Sequence, residues 1–463
     1  MTSLLTESGT SYGPELLVRL RGGRRRAQLE DRLRELVRDG TLAAGSRMPS
    51  SRALAGDLGV SRRLVVDAYA QLLAEGYLVA RRGAGTYVAA AGSAQDAAQA
   101  PAPPSALQFD FFPGAPDLSA FPRALWLSAT REVLRTAPDA AFAYPDARGA
   151  PSLRHALSAY LRRVRGVAVD PEAVVVCAGA TQGLAVLARA LLNEGVDAID
   201  VEDPGLPPHR AVLGYAGLRV RGARVDEHGL DVSSLRSPVA LCTPAHQCPT
   251  GVVLSPQRRG ELVRWARDGG LVIEDDYDAE FRYDRTPLAA LQGLAPDRVV
   301  YLGTVSKTLA PGLRLGWLVV PPSLSDAVVQ AKALDDLGCS VLDQLVLARL
   351  LETSAYDRHL RKARRRNRAR RDALIDAVAR ELPGAHVSGV SAGLHALVRL
   401  PRAVELQPLL TAALAQSLGI YPLNLHRIDP GGGVQALVMG YANLSEPAIA
   451  EGVRRLAGVL GTL

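Results

Sequence analysis

The stretch of sequence that decides the fold reads YLGTVSKTLAPGLRLGW and runs from Tyr301 to Trp317. It places Lys307 after an apolar run, among small and hydroxyl-bearing residues, and it places Arg314 seven residues further on. An amine attacks a carbonyl group only after it loses its proton, which requires burial or a second positive charge nearby. The leucines of the stretch and Arg314 supply both conditions, so Lys307 is predicted to form a Schiff base. A surface lysine in a glycine-rich loop is the alternative for the dipeptide Ser306-Lys307 taken alone.

The same stretch offers groups that bind phosphate. Thr304 and Ser306 carry hydroxyl donors, and the guanidinium of Arg314 presents a fork of N–H groups that matches a phosphate dianion. With these residues, the stretch resembles the lysine motif of fold-type I aminotransferases, which depend on pyridoxal 5′-phosphate (PLP). The resemblance implies an α/β fold with a large, mixed and mostly parallel sheet between helices, and PLP attached to Lys307.

Two further segments resemble phosphate-binding parts of that family. The segment AYPDARGAPSLR, 143–154, contains Tyr144, which in the family's dimers reaches the phosphate of the neighbouring subunit's cofactor. The segment VVVCAGATQG, 174–183, is an apolar run that ends in a small-residue turn before a helical pattern. Backbone N–H groups at the start of a helix attract phosphate. The resemblance therefore implies a phosphate cradle formed by Ala180, Thr181 and Gln182.

Two more segments resemble the parts that face the cofactor ring. In LCTPAHQCPTG, 241–251, the polar residues before the PTG turn, His246 among them, are similar to the loop beside the 3-hydroxyl group. In LVIEDDYD, which begins at Leu271, an apolar strand runs into acids. The resemblance assigns Asp275 to the pyridinium nitrogen, where a carboxylate lets the ring act as an electron sink, and places Tyr277 near the 3-hydroxyl. Three neighbouring acids remain alternatives to Asp275: Glu274, Asp276 and Asp278.

Three positions depart from the aminotransferase pattern. Leu206 stands where the family usually stacks an aromatic ring on the pyridine, and Cys248 stands where asparagine is common. Val438 occupies the place of the arginine that holds the substrate carboxylate. An amino-acid substrate would therefore lack its usual anchor unless Arg427 or Arg399 supplies it. Physiological turnover as an aminotransferase is thus not expected.

Residues 13–88 form a separate predicted unit. Apolar residues in Ala27–Val37 recur at the spacing of an amphipathic helix. A short helix is predicted at Arg52–Leu58, and after a tight turn Ser61 caps a longer helix. Two helices joined in this way form a helix-turn-helix motif, whose second helix enters the major groove by its first residues. The run YLVARRGAGTYV, 77–88, predicts a β-hairpin wing with a basic tip.

This unit resembles the winged-helix domain of GntR-type regulators at RMPSSRALA, DLGVSR, AEGYL and RRGAGTYV. A small helical domain with an exposed basic face is the alternative. Charge agrees with DNA binding, because residues 13–88 hold 14 Arg against 8 acids, whereas the remaining residues hold 40 basic against 39 acidic. The residues expected to contact double-stranded promoter DNA are Ser51, Arg52, Ser61, Arg62, Arg63, Arg81, Arg82 and Thr86.

A second basic segment lies far from this unit. Arg358–Arg371, RHLRKARRRNRARR, contains nine basic residues and is predicted to be helical. A solvated helix face is one interpretation of such a run, and a second contact with DNA or another partner is the other.

Composition sets the remaining expectations. Residues 89–108 are rich in Ala, Pro, Gln and Ser without an apolar period, which predicts a flexible linker between the DNA-binding unit and a PLP-binding effector domain at 109–463. The four cysteines show no paired spacing, so neither a metal site nor a disulfide framework is predicted. No secretion signal and no apolar run of about 18 residues is present. A cytoplasmic protein without membrane contact is expected.

A GntR-like head, a linker and an aminotransferase-like body together resemble the MocR subfamily of bacterial transcription regulators over essentially the whole chain. The resemblance implies a head-to-tail, domain-swapped homodimer with a PLP Schiff base at Lys307. It implies a regulator that senses PLP or an amine or amino-acid effector, with control of vitamin B6 synthesis as one such role. A functional aminotransferase with an appended DNA-binding domain is the alternative. The operator sequence and the choice between activation and repression stay open.

Overall fold

The computed structural model describes residues 23–81, 84–89, 107–283, 288–389 and 391–463. The chain divides into two compact units: the head, up to Ser105, and the body, from Ala106 onwards. Most of the expected linker, 90–106, lies outside the described residues, as does Arg82 at the expected tip of the wing.

The head consists of three helices followed by an antiparallel hairpin. Its elements are α1 (Arg25–Arg38), α2 (Ser51–Leu58), α3 (Arg62–Ala74), β1 (Leu78–Arg81) and β2 (Gly85–Val88). The hydroxyls of Ser50 and Ser61 cap α2 and α3 by accepting backbone N–H groups. Gly59 ends α2 with φ +62°, which glycine adopts without strain. The predicted winged helix-turn-helix is therefore confirmed.

The body is built on β-strands and helices that alternate along the chain. Its strands are β3 (Phe109–Asp110), β4 (Val174–Cys177), β5 (Ala198–Asp203), β6 (Arg219–Asp226), β7 (Gly229–Leu230), β8 (Val239–Cys242), β9 (Leu271–Asp275), β10 (Val299–Thr304), β11 (Gly316–Val319), β12 (His386–Ser388), β13 (His395–Val404), β14 (Leu418–Gly419) and β15 (Val434–Gly440). Its helices are α4 (Arg123–Thr136), α5 (Pro151–Arg165), α6 (Ala180–Asn193), α7 (Pro207–Ala216), α8 (Pro256–Arg267), α9 (Pro322–Asp336), α10 (Val341–Glu352), α11 (Ala355–Glu381), α12 (Leu406–Ala415) and α13 (Glu446–Gly461).

An eight-stranded sheet forms the centre of the body, in the order β4-β11-β10-β9-β8-β5-β6-β7. The neighbours from β10 to β6 are parallel, whereas β11 pairs antiparallel with both β10 and β4. Strand β7 is antiparallel to β6. The predicted mixed, mostly parallel sheet is therefore confirmed.

Helices cover both faces of this sheet because its strands are apolar on both sides. Val174 and Val176 of β4 pack in one cluster with α5 and α10, whereas Val175 and Cys177 pack in another with α6 and α9. Successive side chains of a strand point to opposite faces, so a continuous apolar run is buried on both. The carboxyl ends of the parallel strands then carry the polar residues of the site.

A second, three-stranded antiparallel sheet follows in the order β12-β13-β15. It shares a hydrophobic core with α11, α12 and α13. Among the residues that the structure describes, no helix combines the length and apolar character needed to cross a membrane.

Candidate cofactor site and nucleic-acid interface

Three neighbouring strands bring the predicted phosphate-binding segments to one place. The register pairs Cys177 at the end of β4 with Gly316 at the start of β11, and Gly316 with Thr304 at the end of β10. Helix α6 begins just after β4, Lys307 follows the end of β10, and Arg314 lies just before the start of β11. Residues from two distant parts of the sequence, 177–182 and 304–316, therefore meet at the same end of the sheet.

The first turn of α6 and Arg314 form a site for an anion. Nη2 of Arg314 donates a hydrogen bond to the carbonyl oxygen of Ala178 at 2.5 Å. Gly179 has φ +82°, and a Cβ atom there would lie 2.9 Å from the same Nη2 atom, so glycine is needed for this approach. The N–H groups of Ala180 and Thr181 stand in the first turn, where a helix leaves its donors free. Together with the helix dipole, they favour a phosphate.

The remaining predicted phosphate ligands differ in whether their donor groups are already hydrogen-bonded or buried. The side chain of Gln182 donates to the carboxylates of Asp335 and Asp336 at 2.7 and 2.8 Å, which leaves its backbone N–H for a phosphate. The hydroxyls of Thr304 and Ser306 lie 2.9 Å apart. Thr304 is buried and Ser306 is half-buried, so the second hydroxyl is the more accessible donor.

Lys307 differs in its surroundings from the other two lysines of the chain. Lys332 is buried and donates to Asp336 at 2.5 Å, and Lys362 is exposed on α11. Lys307 is half-buried and has no ion pair within the described part of the chain. Burial lowers its pKa, against the opposing effect of nearby carboxylates. A lowered pKa is the property that a Schiff-base lysine requires.

Gly114 lies against the amine of Lys307. It has φ +75°, and a Cβ atom built on it would lie 3.2 Å from Nζ. A side chain at this position would therefore enter the space in which the amine meets a carbonyl group. No motif of the sequence marks Gly114, because the contact joins two segments far apart in the chain.

Asp275, the last residue of β9, is a buried carboxylate with an unused acceptor. It is 2% exposed, and its Oδ1 has no hydrogen-bond partner among the described residues. Its Oδ2 lies 3.6 Å from Nε2 of His209. Burial, reinforced by neighbouring carboxylates, raises the pKa of Asp275 well above its usual range. A buried acceptor without a donor is unfavourable, so this oxygen has the character of a ligand site.

The three acids that were alternatives to Asp275 already have partners. Glu274 accepts the N–H groups of Leu291 and Gln292, both at 2.9 Å. Asp276 accepts hydrogen bonds from Nε of Arg165 and from the hydroxyl of Tyr301, both at 2.6 Å. Asp278 lies 2.9 Å from Nδ1 of His246. The hydrogen-bond partners thus favour Asp275 over its neighbours.

Tyr277 and His246 form one buried network beside Asp278. The hydroxyl of Tyr277 donates to the carbonyl oxygen of His246 at 3.1 Å and lies 3.2 Å from its Nδ1. The ring of His395 lies 5.0 Å from that of His246, and its buried Nε2 lacks a hydrogen-bond partner among the described residues. No motif of the sequence marks His395 or His209, since each lies outside the segments that carry the lysine and the acids.

These residues fit PLP, the cofactor that the resemblance implies. The unpartnered Oδ1 of Asp275 suits a pyridinium N–H group, and the first turn of α6 with Arg314 suits a phosphate. Lys307 supplies the amine. When bound, PLP supplies an electrophilic aldehyde and an electron-withdrawing ring.

The position of the expected carboxylate clamp is apolar. Val438 is fully buried and packs with Leu397, Leu423 and Ala436 in one hydrophobic cluster. The two arginines named as substitutes, Arg399 and Arg427, both have exposed side chains. The cluster therefore offers no charge to a substrate carboxylate. Leu206, at the N-cap of α7, is half-buried, and Cys248 is buried.

Tyr144 lies on the surface of the body, with 92% of its surface exposed. It borders a groove of about 540 Å³ between the end of α4, the segment 138–146 and α10. Two exposed apolar side chains, Leu134 and Phe142, lie in the same region of the chain. Such a surface is typical of an interface.

In the head, the predicted DNA-contacting residues lie at the start of α2, at the start of α3 and on the hairpin. Arg62 and Arg63 are the first two residues of α3, and the side chain of Arg63 is 91% exposed. Ser51 accepts a hydrogen bond from Nε of Arg62 at 3.4 Å. Arg52 and Ser61 are exposed.

The hairpin adds two further predicted residues and one that was missed. The guanidinium of Arg81 lies 4.6 Å from the ring centre of Tyr87, and Thr86 lines a groove of about 410 Å³ together with Ser51. Arg47, which was not predicted, lines the same groove. Its backbone forms an isolated bridge with Tyr87, so an exposed cation is fixed beside the wing. The motif RMPSSR contains this arginine.

Comparison with known families gives two matches. The family described as bacterial regulatory proteins, gntR family, matches residues 25–88. The family described as aminotransferase class I and II matches residues 117–432.

Individual relatives combine both parts. The HTH-type pyridoxine biosynthesis transcriptional regulator PdxR of Corynebacterium glutamicum is 33% identical over 91% of this chain and 93% of that protein. The probable rhizopine catabolism regulatory protein MocR of Rhizobium meliloti is 32% identical over 93% of this chain and 92% of that protein. Among solved structures, LysN, the α-aminoadipate aminotransferase of Thermus thermophilus complexed with N-(5′-phosphopyridoxyl)-L-leucine, has a TM-score of 0.69 and 27% identity, covering 77% of this chain and 93% of that chain.

Proposed function

Because the chain belongs to the MocR-type regulators of the gntR family, in which a winged helix-turn-helix is joined to an aminotransferase-like domain, we propose that a ligand at Lys307 controls its binding to promoter DNA. The chain is a DNA-binding transcription regulator, its cofactor is pyridoxal 5′-phosphate, and its body binds a small-molecule effector. Lys307, Asp275 and Arg314 then hold the cofactor, and the residues at the start of α3 contact the DNA.

The apolar surroundings of Val438 are the main observation in favour of a regulator over an enzyme that turns over substrate. An aminotransferase must hold the carboxylate of each amino acid that it converts, and a buried cluster of aliphatic side chains cannot do so. Leu206 adds to this, because it lacks the ring that stacking on the pyridine requires. The site therefore retains the groups for the cofactor and lacks those for a standard substrate.

Within this proposal, the effector is PLP itself and the regulated process is vitamin B6 synthesis. The relative from Corynebacterium glutamicum is named as a regulator of pyridoxine biosynthesis, which supports this choice. An amine or amino acid that reacts with bound PLP is the other effector of the same site. An effector changes DNA binding only if it binds two conformations of the protein with different affinity.

The test is a titration of PLP-free protein with PLP, followed by measurement of affinity for its promoter and of the bend in the bound DNA. A change in either quantity that saturates with PLP occupancy is expected. Unchanged affinity and unchanged DNA geometry would exclude PLP as the effector. The same measurement with a panel of amines added to the PLP-bound protein distinguishes the second effector class.

We further propose that the chain works as a head-to-tail homodimer, with each site completed by Tyr144 of the other subunit. The exposure of Tyr144 supports this, because a phenol that serves its own subunit's site would be expected to lie within it. The test mixes two variants, Tyr144→Phe and Lys307→Ala, in one preparation. Mixed dimers should contain one fully native PLP site, so PLP affinity should recover in a fraction of the sites. No recovery on mixing, in a preparation shown to exchange subunits, would contradict the proposal.

A working aminotransferase is the second candidate. The retained amine of Lys307 and the free Oδ1 of Asp275 favour it, since both serve catalysis as well as binding. Its test is conversion of bound PLP to the pyridoxamine form by an amino acid, followed by absorbance. If a broad panel of amino acids and amines gives no conversion, this candidate is excluded.

A further inference from the structure

Helix α11 separates its basic residues into an inner and an outer set. The inner set contacts the rest of the body: Nη2 of Arg370 lies 2.9 Å from Oδ2 of Asp117, and Nε of Arg366 lies 3.2 Å from the same atom. Arg364 donates to the carbonyl oxygen of Glu280. These arginines therefore serve packing, and their charges are partly neutralised.

The outer set forms one line on the opposite side of the helix. Its members are exposed, and all of them fall within about 120° around the helix at 100° per residue: Arg358, Arg361, Lys362, Arg365 and Arg368. Side chains within such an arc lie on one face of an α-helix. We call this set the α11 stripe. From Arg358 to Arg368 it extends for about 15 Å, at 1.5 Å per residue.

The charges of the α11 stripe are largely uncompensated. Within the described part of the chain, Arg361, Lys362 and Arg365 make no ion pair, and Asp372 lies 3.9 Å from Arg368. The nearest acid at the other end, Asp357, pairs with Arg163 at 2.8 Å. A row of like charges repels itself and gains most from a partner with a continuous negative charge.

We propose that the α11 stripe is a second DNA-binding surface, which contacts phosphates without reading bases. Duplex DNA carries one negative charge per about 1.7 Å of its axis when both strands are counted, so a 15 Å row of cations spans a length of duplex that contains roughly nine phosphates. The head already brings this protein to DNA, which supplies that partner in the same complex. Arg358 donates a hydrogen bond to the carbonyl oxygen of Thr353 at 3.1 Å. Arg361, Lys362 and Arg365, at the centre of the stripe, are free to contact phosphates, and such contacts carry no sequence information.

The experiment compares the full-length protein with the triple variant Arg361→Ala/Lys362→Ala/Arg365→Ala. Binding is measured against salt concentration on two promoter duplexes, one trimmed to the operator and one extended on both sides. Each lost phosphate contact should reduce the slope of log K against log salt by about 0.9. A total reduction of roughly 2 to 3 is expected on the extended duplex, with the absorbance of bound PLP unchanged.

The matched control removes three exposed arginines elsewhere on the body, in Arg221→Ala/Arg264→Ala/Arg402→Ala. It changes the net charge by the same amount, so it distinguishes an effect of where the charges lie from an effect of the total charge. A slope reduction in the stripe variant beyond that of the control supports the proposal, on the extended duplex alone or on both. Equal slopes for the stripe variant and the control on both duplexes would overturn it, and would assign the stripe to an acidic protein or to solvent.

Discussion

Oδ2 of Asp275 lies 3.6 Å from Nε2 of His209, whereas Oδ1 of the same carboxylate has no hydrogen-bond partner among the described residues. His209 is held neutral, because burial lowers its pKa to about 4. A neutral imidazole adds no positive charge beside this carboxyl group. The unused oxygen is therefore available for a cationic N–H group of a ligand.

The first prediction concerns Asp275. Asp275→Asn should weaken PLP binding by about 10- to 100-fold, because a buried hydrogen bond to a charged group contributes about 1.5–3 kcal/mol. Absorbance titration of the PLP-free protein measures the affinity. Glu274→Gln is the control, since Glu274 already accepts two backbone N–H groups. A larger loss in the control than in Asp275→Asn would shift the role to Glu274.

The second prediction concerns the three lysines. Lys307→Ala should abolish the visible absorbance band of bound PLP and leave thermal stability close to that of the parent, because the side chain is only half-buried. Borohydride reduction of the parent followed by peptide mapping should find the label on Lys307. Lys362→Ala, a change on the exposed face of α11, should keep the band. A band that survives in Lys307→Ala would refute the assignment.

The third prediction concerns Gly114. Gly114→Ala places a methyl group 3.2 Å from Nζ of Lys307 in a backbone conformation that alanine rarely adopts. The affinity for PLP and the rate at which the absorbance band of bound PLP forms should both fall. Gly458→Ala is the control, because its Cβ atom would meet nothing within 4 Å. Equal PLP binding in the two variants would show that this contact is unimportant.

The fourth prediction concerns the start of α3. Arg63→Ala should weaken operator binding by about 1–3 kcal/mol and relax sequence preference if the side chain reads a base. If it contacts a phosphate, binding weakens on all sequences and the salt slope falls by about 1. Arg454 is an exposed arginine of α13 that is paired with Glu451, and Arg454→Ala should change neither operator affinity nor the salt slope. Operator binding that is unaltered in both Arg62→Ala and Arg63→Ala would place the reading residues elsewhere.

The fifth prediction concerns pH and His426. Burial lowers the pKa of His426 from 6.5 to about 4. Between pH 6.5 and about pH 4, His426 is protonated in the unfolded chain and neutral in the folded chain. The free energy of unfolding is therefore unaffected by His426 above pH 6.5 and decreases as the pH falls to about 4. The loss approaches about 3 kcal/mol. Urea unfolding should show a smaller decrease between about pH 7 and pH 4 for His426→Gln than for the parent. Parallel pH profiles would contradict the buried neutral state.

Local sequence was sufficient to predict the parts of the site that lie within one segment. The start of α6, the acids after β9 and Lys307 after β10 each follow an apolar strand, so pattern alone placed them at strand ends. Gly114 and His209 could not be found in this way, because their contacts with Lys307 and Asp275 arise only when distant segments pack. The sequence pattern also could not divide the basic residues of α11 into an inner and an outer set, since only the packed helix shows which side faces Asp117.

The order of the central sheet has a consequence for the synthesis of this protein on the ribosome. Strand β11 lies between β4 and β10, so the anion site after β4 and the lysine after β10 meet only when β11 has joined both. Closing such long loops is the slow part of folding. A nascent chain that ends before Gly316 therefore has its lysine and its helix start but no place to hold the cofactor. We therefore expect PLP to bind only after the central sheet is complete, so that PLP occupancy reports on complete folding of the body.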